Sequence, residues 1–165
     1  MPIKNIIIYI LTVVAIVGGV IWMARPDKNN NTDPTASIIS VLNFSETQYD
    51  FGTISMANGN VSKIFKITNS SNKSIEIEKI YTSCMCTEAE LNINNKKLGP
   101  FGMPGHNLVP KVNQTLNVGE TAEIKVIYNP NAHGPAGVGP VDRIVYVEEK
   151  GRQPLEFRIK AVVTP

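Results

Sequence analysis

Cysteine is scarce in this sequence, with two residues in a chain of 165, and aromatic residues make up only 7%. Two cysteines are too few for a disulfide scaffold or a four-cysteine zinc site. There is no large excess of one charge either, because 16 Lys and Arg residues face 14 Asp and Glu residues. Such a balance gives no support for a nucleic-acid partner. The length fits one domain and excludes a large multidomain enzyme.

Catalytic motifs are also missing from the sequence. It contains no G-x-S-x-G elbow, no H-E-x-x-H pair, no P-loop and no dinucleotide-binding glycine pattern. A Cys–His nucleophile pair is compatible with the composition, but no residue pattern locates a base or an oxyanion hole. We therefore expect a protein that is not an enzyme and that has neither catalytic residues nor an organic cofactor.

One apolar run stands apart from the rest of the chain. Residues 6–24 (IIIYILTVVAIVGGVIWMA) carry no charge, and a helix of that length reaches about 28 Å, close to the hydrocarbon core of a bilayer. A cleaved signal peptide has a shorter apolar segment and small residues at its exit, whereas residues 21–25 (IWMAR) are bulky. A buried core helix would show a polar stripe, which is absent. The run predicts an uncleaved transmembrane anchor after a short tail of residues 1–5.

The segment after the anchor predicts a stalk. Residues 25–36 are rich in Asn, Asp and Pro and contain almost no apolar side chain, a composition typical of a flexible linker. The folded part, residues 37–165, then lies wholly after the anchor, as in most exported single-domain proteins. The count of Lys and Arg on the two sides slightly opposes this orientation. We expect a single-pass protein of the cell membrane with its domain outside the cytoplasm.

Alternation with a period of two dominates residues 37–165. Several short runs alternate apolar and polar side chains, turn residues separate them, and no helical stripe is visible. About seven such strands predict an all-β fold, an immunoglobulin-like antiparallel β-sandwich preceded by one N-terminal transmembrane helix. The residues expected to face inward are Phe65, Ile67, Ile75, Ile77, Ile124, Val126, Phe157 and Ile159.

Two segments interrupt this alternation, residues 99–110 (GPFGMPGHNLVP) and 129–140 (NPNAHGPAGVGP). Both are dense in Gly and Pro, and each holds one of the two histidines, His106 and His133. Long loops in a compact domain are usually functional or disordered. Their prolines and apolar residues favour ordered loops.

Four motifs make the sequence similar to a bacterial exported family, domain of unknown function 1573. They are DFGTI at residues 50–54, FKITN at 65–69, SCMCT at 83–87 and VGE at 118–120. The resemblance covers roughly residues 44–163 and implies an Ig-like sandwich, secreted or membrane-tethered, with no established activity. The common family pattern has Gly between the two cysteines and Pro before Gly-Glu, where this chain has Met85 and Val118. About twenty-five residues are also inserted after the cysteine motif.

The cysteine motif is the main candidate site. In an extended segment, both thiols of Cys84-Met85-Cys86 project on one face. Together with Met103 and His106 they form a predicted soft-metal site, with His133 as the reserve ligand. Thiolate, thioether and imidazole ligands select Cu(I) or Zn(II) over Mg or Ca.

Simpler interpretations stay open for the same residues. Cysteines at the end of a sandwich strand are often small core residues. They can also form a reversible disulfide in an oxidising compartment, although this close pair needs a sharp local bend. For His133, beside Gly134-Pro135, hydrogen bonds that tie the loop are favoured over ligation.

Two functions follow from the sequence. The leading hypothesis is a membrane-anchored Ig-like module that acts by contact with an unidentified protein, supported by a bound soft metal. The alternative is an exported thiol- or copper-handling protein in which Cys84 and Cys86 do the chemistry. The expected partners are the membrane, through residues 6–24, and a protein, but no nucleic acid.

Overall fold

The computed structural model describes Val13 and residues 15–19, 40–106 and 109–165. The chain divides into two compact units, Met1–Ala36 and Ser37–Pro165. In the first unit, Val13 and residues 15–19 are helical. The tail, the stalk and the rest of the predicted anchor lie outside the described residues. Among the residues that are described, no helix has the length and apolar character needed to cross a membrane.

The second unit consists of two five-stranded sheets packed face to face. The strands are β1 Leu42–Phe44, β2 Gln48–Ser55, β3 Val61–Asn69, β4 Ile75–Thr82, β5 Thr87–Ile93, β6 Lys96–Phe101, β7 Gln114–Leu116, β8 Thr121–Tyr128, β9 Gly139–Glu149 and β10 Leu155–Thr164. The first sheet has the strand order β1-β3-β8-β5-β6, and the second has the order β2-β10-β9-β4-β7. Short 3-10 turns at Met56–Asn58 and Gly134–Gly137 connect strands.

The core lies between the sheets and follows the predicted alternation. All eight residues expected to face inward are buried, which confirms that part of the prediction. The rings of Phe65 on β3 and Phe157 on β10 lie 5.0 Å apart and join the two sheets. Burial of such side chains is the main source of stability for a sandwich of this size.

One strand pair differs from the expected antiparallel arrangement. β2 and β10 run parallel, with Gln48 opposite Arg158. Parallel neighbours need a long connection, and here nearly the whole domain separates the two strands along the chain. Alternation identifies a strand but does not give its direction, so the sequence prediction was wrong for this pair.

The insertion after the cysteine motif contains a hairpin that the sequence analysis did not predict. Asn94 and Asn95 adopt left-handed conformations, with φ of 52° and 61°, and connect β5 to β6. Asparagine tolerates this conformation and is favoured in tight hairpin turns. The expected loop 99–110 therefore begins later, because residues 99–101 belong to β6. Residues 139–140, expected as loop, likewise belong to β9.

Replacement of a core side chain tests the packing of the sandwich. Ile124 is 0% exposed on β8, whereas Ile64 on the neighbouring β3 is 45% exposed. Ile124→Ala is expected to lower the free energy of unfolding by about 2–5 kcal/mol, because it removes buried methyl groups and leaves a cavity. Ile64→Ala is the matched control and should change it by about 0.5 kcal/mol or less. Urea denaturation of the two variants makes the comparison, and equal effects would contradict this account of the core.

Candidate functional site

Both cysteines lie on the short connection between the two sheets. β4 belongs to one sheet and β5 to the other, and residues 83–86 cross between them. The Thr87 N–H donates to the Cys84 carbonyl over 3.1 Å, which closes a tight turn across the Cys-Met-Cys motif. The segment is therefore bent rather than extended. This is the sharp bend that brings two such close thiols together.

The buried hydroxyl group of Thr82 is hydrogen-bonded to this turn. Thr82 Oγ1 lies 2.9 Å from the Cys84 carbonyl oxygen and 3.0 Å from the Thr87 carbonyl oxygen, so its proton is shared between them. Thr82 is itself buried. A satisfied polar group of this kind favours one geometry, because breaking both contacts would leave the buried Thr82 hydroxyl without a partner.

Hydrogen bonds attach the turn to the end of β8 and to β9. The Asn129 N–H, at the end of β8, donates to the Cys86 carbonyl over 2.9 Å. On the other side, the Ser83 N–H donates to the Ile144 carbonyl on β9 over 2.9 Å, and the Ile144 N–H donates to the Ser83 hydroxyl. The turn is therefore fixed to the start of the β8–β9 loop and to β9.

His133 approaches the cysteines from the β8–β9 loop. Its Nε2 lies 3.2 Å from Cys84 Sγ. Gly137 lets the loop close on the histidine, because a methyl group there would lie only 3.3 Å from the His133 Cβ and 3.4 Å from the Pro130 carbonyl. The two sulfurs and one ring nitrogen of His133 all lie within 4.8 Å of one another. We call Cys84, Cys86 and His133 the thiol–imidazole cluster.

Arg143 on β9 adds a positive charge to the cluster. Its Nε donates to Cys86 Sγ over 3.2 Å. Arg143 is not among the site residues predicted from the sequence. The available signal was a single cation, next to Asp142, in the run of residues 141–147 whose other members are β-branched or aromatic. Such a residue on a strand that is half-buried needs a partner for its charge.

The other predicted ligands lie on the segment after β6. The Gly102 carbonyl accepts from the Thr82 N–H over 3.1 Å, which fixes the beginning of that segment beside β4. Met103 follows and is half-buried, whereas His106 is exposed, and its N–H donates to the Met103 carbonyl. Within the described part of the chain, His106 is not a member of the thiol–imidazole cluster. The imidazole that contacts a cysteine is thus that of His133, the reserve ligand.

The two thiols have opposite electrostatic environments. For Cys84, burial opposes ionisation, but hydrogen bonds from the Cys86 thiol and N–H, a bond from His133 and the charge of Arg143 together lower the pKa to about 7. For Cys86, burial and the bond to Cys84 raise the pKa, and the bonds from Arg143 and Thr87 offset only part of this. Cys84 is therefore the thiol that ionises first.

Comparisons with known proteins agree with this description of the domain. The model of a family described as a protein of unknown function, DUF1573, matches residues 42–100. This match confirms the resemblance predicted from the motifs over that stretch, which includes both cysteines but neither His133 nor Arg143. No curated protein matches the chain.

Comparison with solved structures bears on the fold alone. The chain resembles the crystal structure of a protein of unknown function from Porphyromonas gingivalis W83, with a TM-score of 0.53, 11% sequence identity and 74% of this chain covered. It spans 46% of that structure. The ASH / PapD-like domain 7 of human CEP192 matches with a TM-score of 0.42, 11% identity and coverage of 75% of this chain and 85% of that domain. The similarity to the Porphyromonas gingivalis structure supports an all-β sandwich and gives no information on activity.

The pH dependence of alkylation tests the charge state of Cys84. In the metal-free protein, the rate of reaction with iodoacetamide should rise with pH through a midpoint near 7, rather than near the ordinary value of 9.0, because only the thiolate reacts. Below that midpoint the protonated thiol is nearly inert. Mass spectrometry of the alkylated peptides assigns the rate to each cysteine.

The Cys84→Ser variant is the control, since it leaves only the thiol of Cys86. That residue is 2% exposed, and it should react more slowly and only at higher pH. A midpoint near 9 for Cys84 would show that its hydrogen bonds do not stabilise the thiolate.

Proposed function

We propose that this protein is a non-enzymatic β-sandwich module that binds a soft metal ion at the thiol–imidazole cluster. In this proposal residues 6–24 anchor it in the cell membrane and the domain lies outside the cytoplasm. The observation that supports metal binding is the convergence of three ligand atoms within 4.8 Å from two separate segments of the chain. Two cysteines and a histidine are ligands that bind soft and borderline metals.

The number and type of ligands favour Cu(I) over Zn(II). Structural zinc sites are nearly always four-coordinate, and the described residues supply three ligands of the Cys, His, Asp or Glu type in this cluster. Thiolates suit both ions, but a thioether is not among the usual zinc ligands. Met103 stays the proposed fourth ligand and would complete a site suited to Cu(I), because the Gly102–Thr82 hydrogen bond fixes its segment beside the end of β4.

Charge balance supports a monovalent ion. Two thiolates and one Cu(I) leave one negative charge, and the Arg143 guanidinium, 3.2 Å from Cys86 Sγ, can compensate it. A buried charge needs such a partner. If both cysteines were protonated, the positive charge of Arg143 would repel the bound metal ion. The charges therefore balance only when both cysteines are thiolates.

Contact with a partner protein is the second candidate function, and the exposure of apolar side chains around the cluster favours it. Met85, between the two cysteines, is 48% exposed. Val138, in the loop that carries His133, is also exposed. A partner that docks at this end of the sandwich would meet both side chains and the cluster together.

A Cu(I) titration against a competing chelator tests the metal proposal. Wild-type protein should retain Cu(I), and Cys84→Ser/Cys86→Ser should lose it. His133→Ala should weaken binding by more than about tenfold, because loss of even an outer-shell partner of a ligand costs about 10–100-fold. Acidification should release the ion, because protons compete for the thiolates.

The second histidine provides the matched control for this titration. His106 also lies in a Gly/Pro-rich segment but outside the cluster, so His106→Ala should leave Cu(I) affinity unchanged. Equal retention by wild type and the double serine variant would refute the proposal. A loss on His106→Ala that matches the loss on His133→Ala would place the site elsewhere.

The proposed topology has a separate test. Protease added to intact cells or protoplasts that express the protein should remove the domain and leave the anchor in the membrane. A mature N-terminus mapped near Arg25 would show instead that the apolar run is cleaved.

A further inference from the structure

The two cysteines differ in their access to solvent. Cys84 is half-buried, and Cys86, two residues later, is 2% exposed. Of the two residues, Cys84 is therefore the one that a second molecule can contact more readily. In thiol–disulfide exchange by a cysteine pair, one thiol attacks the partner disulfide and the other completes the reaction. An accessible thiol close to a buried one suits these two roles.

Each sulfur also has its own hydrogen-bond donors. Cys84 Sγ accepts from the Cys86 N–H over 3.4 Å and lies 3.2 Å from His133 Nε2. Cys86 Sγ accepts from Arg143 Nε over 3.2 Å. Donors of this kind stabilise negative charge on sulfur, which develops first on one sulfur and then on the other during exchange.

We propose that the metal-free pair performs stoichiometric, non-catalytic thiol–disulfide exchange with an accessible disulfide of a partner protein, in which Cys84 attacks and Cys86 resolves. This activity goes beyond metal binding and does not depend on it. The substrate class is an exposed disulfide, since only the more accessible of the two sulfurs can make the first contact.

The reaction proceeds in two balanced steps. The Cys84 thiolate attacks one sulfur of the partner disulfide, a mixed disulfide forms, and the other partner sulfur leaves as a thiolate. Cys86 then gives its proton to solvent and attacks Cys84 Sγ. The Cys84–Cys86 disulfide forms, and the second partner sulfur leaves as a thiolate. Two electrons pass from the cysteine pair to the partner disulfide.

The local backbone makes the second step accessible. The turn closed by the Thr87 N–H and the Cys84 carbonyl already brings the two sulfurs to within 4.8 Å. Rotation of the side chains and a small adjustment of the turn can close the remaining distance, since the loop between the two residues holds only Met85. The exposed side of the motif, where Met85 lies, is open to a partner.

Trapping with oxidised glutathione tests the assignment. The full-length protein, kept metal-free with a chelator, is mixed with glutathione disulfide and quenched with acid at successive times. Cys86→Ser should accumulate a stable mixed disulfide at Cys84, because the resolving thiol is gone. Cys84→Ser should form a mixed disulfide roughly tenfold more slowly, because its remaining thiol is sheltered. Wild type should end as the internal disulfide and release two glutathione thiols.

A measurement on wild type alone guards against variants that fail to fold. Peptide mapping of early time points should find glutathione on Cys84 and not on Cys86. Two results would overturn the proposal: wild type that stops at the mixed disulfide, or glutathione found equally on both cysteines. Because the Cu(I) titration measures metal retention and this experiment excludes metal, either proposal can fail without the other.

Discussion

The tight crossing from β4 to β5 is the constraint on which the rest of the site depends. Within four residues the chain leaves one sheet and enters the other, and the shared proton of the Thr82 hydroxyl holds the two carbonyl oxygens of the turn. In an extended connection the two cysteines would lie farther apart than they do in this turn. The chemistry of this end of the domain is therefore a consequence of how the two layers of the sandwich are joined.

The same crossing explains why His133, and not His106, lies against the thiols. The Asn129 N–H bonds directly to the Cys86 carbonyl, so the loop that starts there must pass over the motif. β9 then returns along β4 and brings Arg143 within hydrogen-bond distance of Cys86. Backbone hydrogen bonds thus decide which side chains meet, and the cluster is an outcome of strand order.

Alternation of apolar residues was enough to predict the sandwich and its core, because burial on one face of a strand leaves a period of two in residues such as Ile124 and Val126. Strand direction leaves no such mark, so the parallel β2–β10 pair was missed. The Asn94-Asn95 turn was a local signal that could have been found. By contrast, His133 belongs to the cluster because it contacts Cys84, which lies 49 residues away in sequence. A single sequence does not carry that information.

The separation of the ligands along the chain has a thermodynamic consequence. An ion held by Cys84, Cys86 and His133 would connect the sheet crossing to the loop between β8 and β9, and that geometry exists only in the folded state. Binding to the native state alone shifts the folding equilibrium, by about 2.7 kcal/mol when the free ligand is at a hundredfold excess over its Kd. Occupancy and global stability of this domain are therefore linked, and each would report on the other.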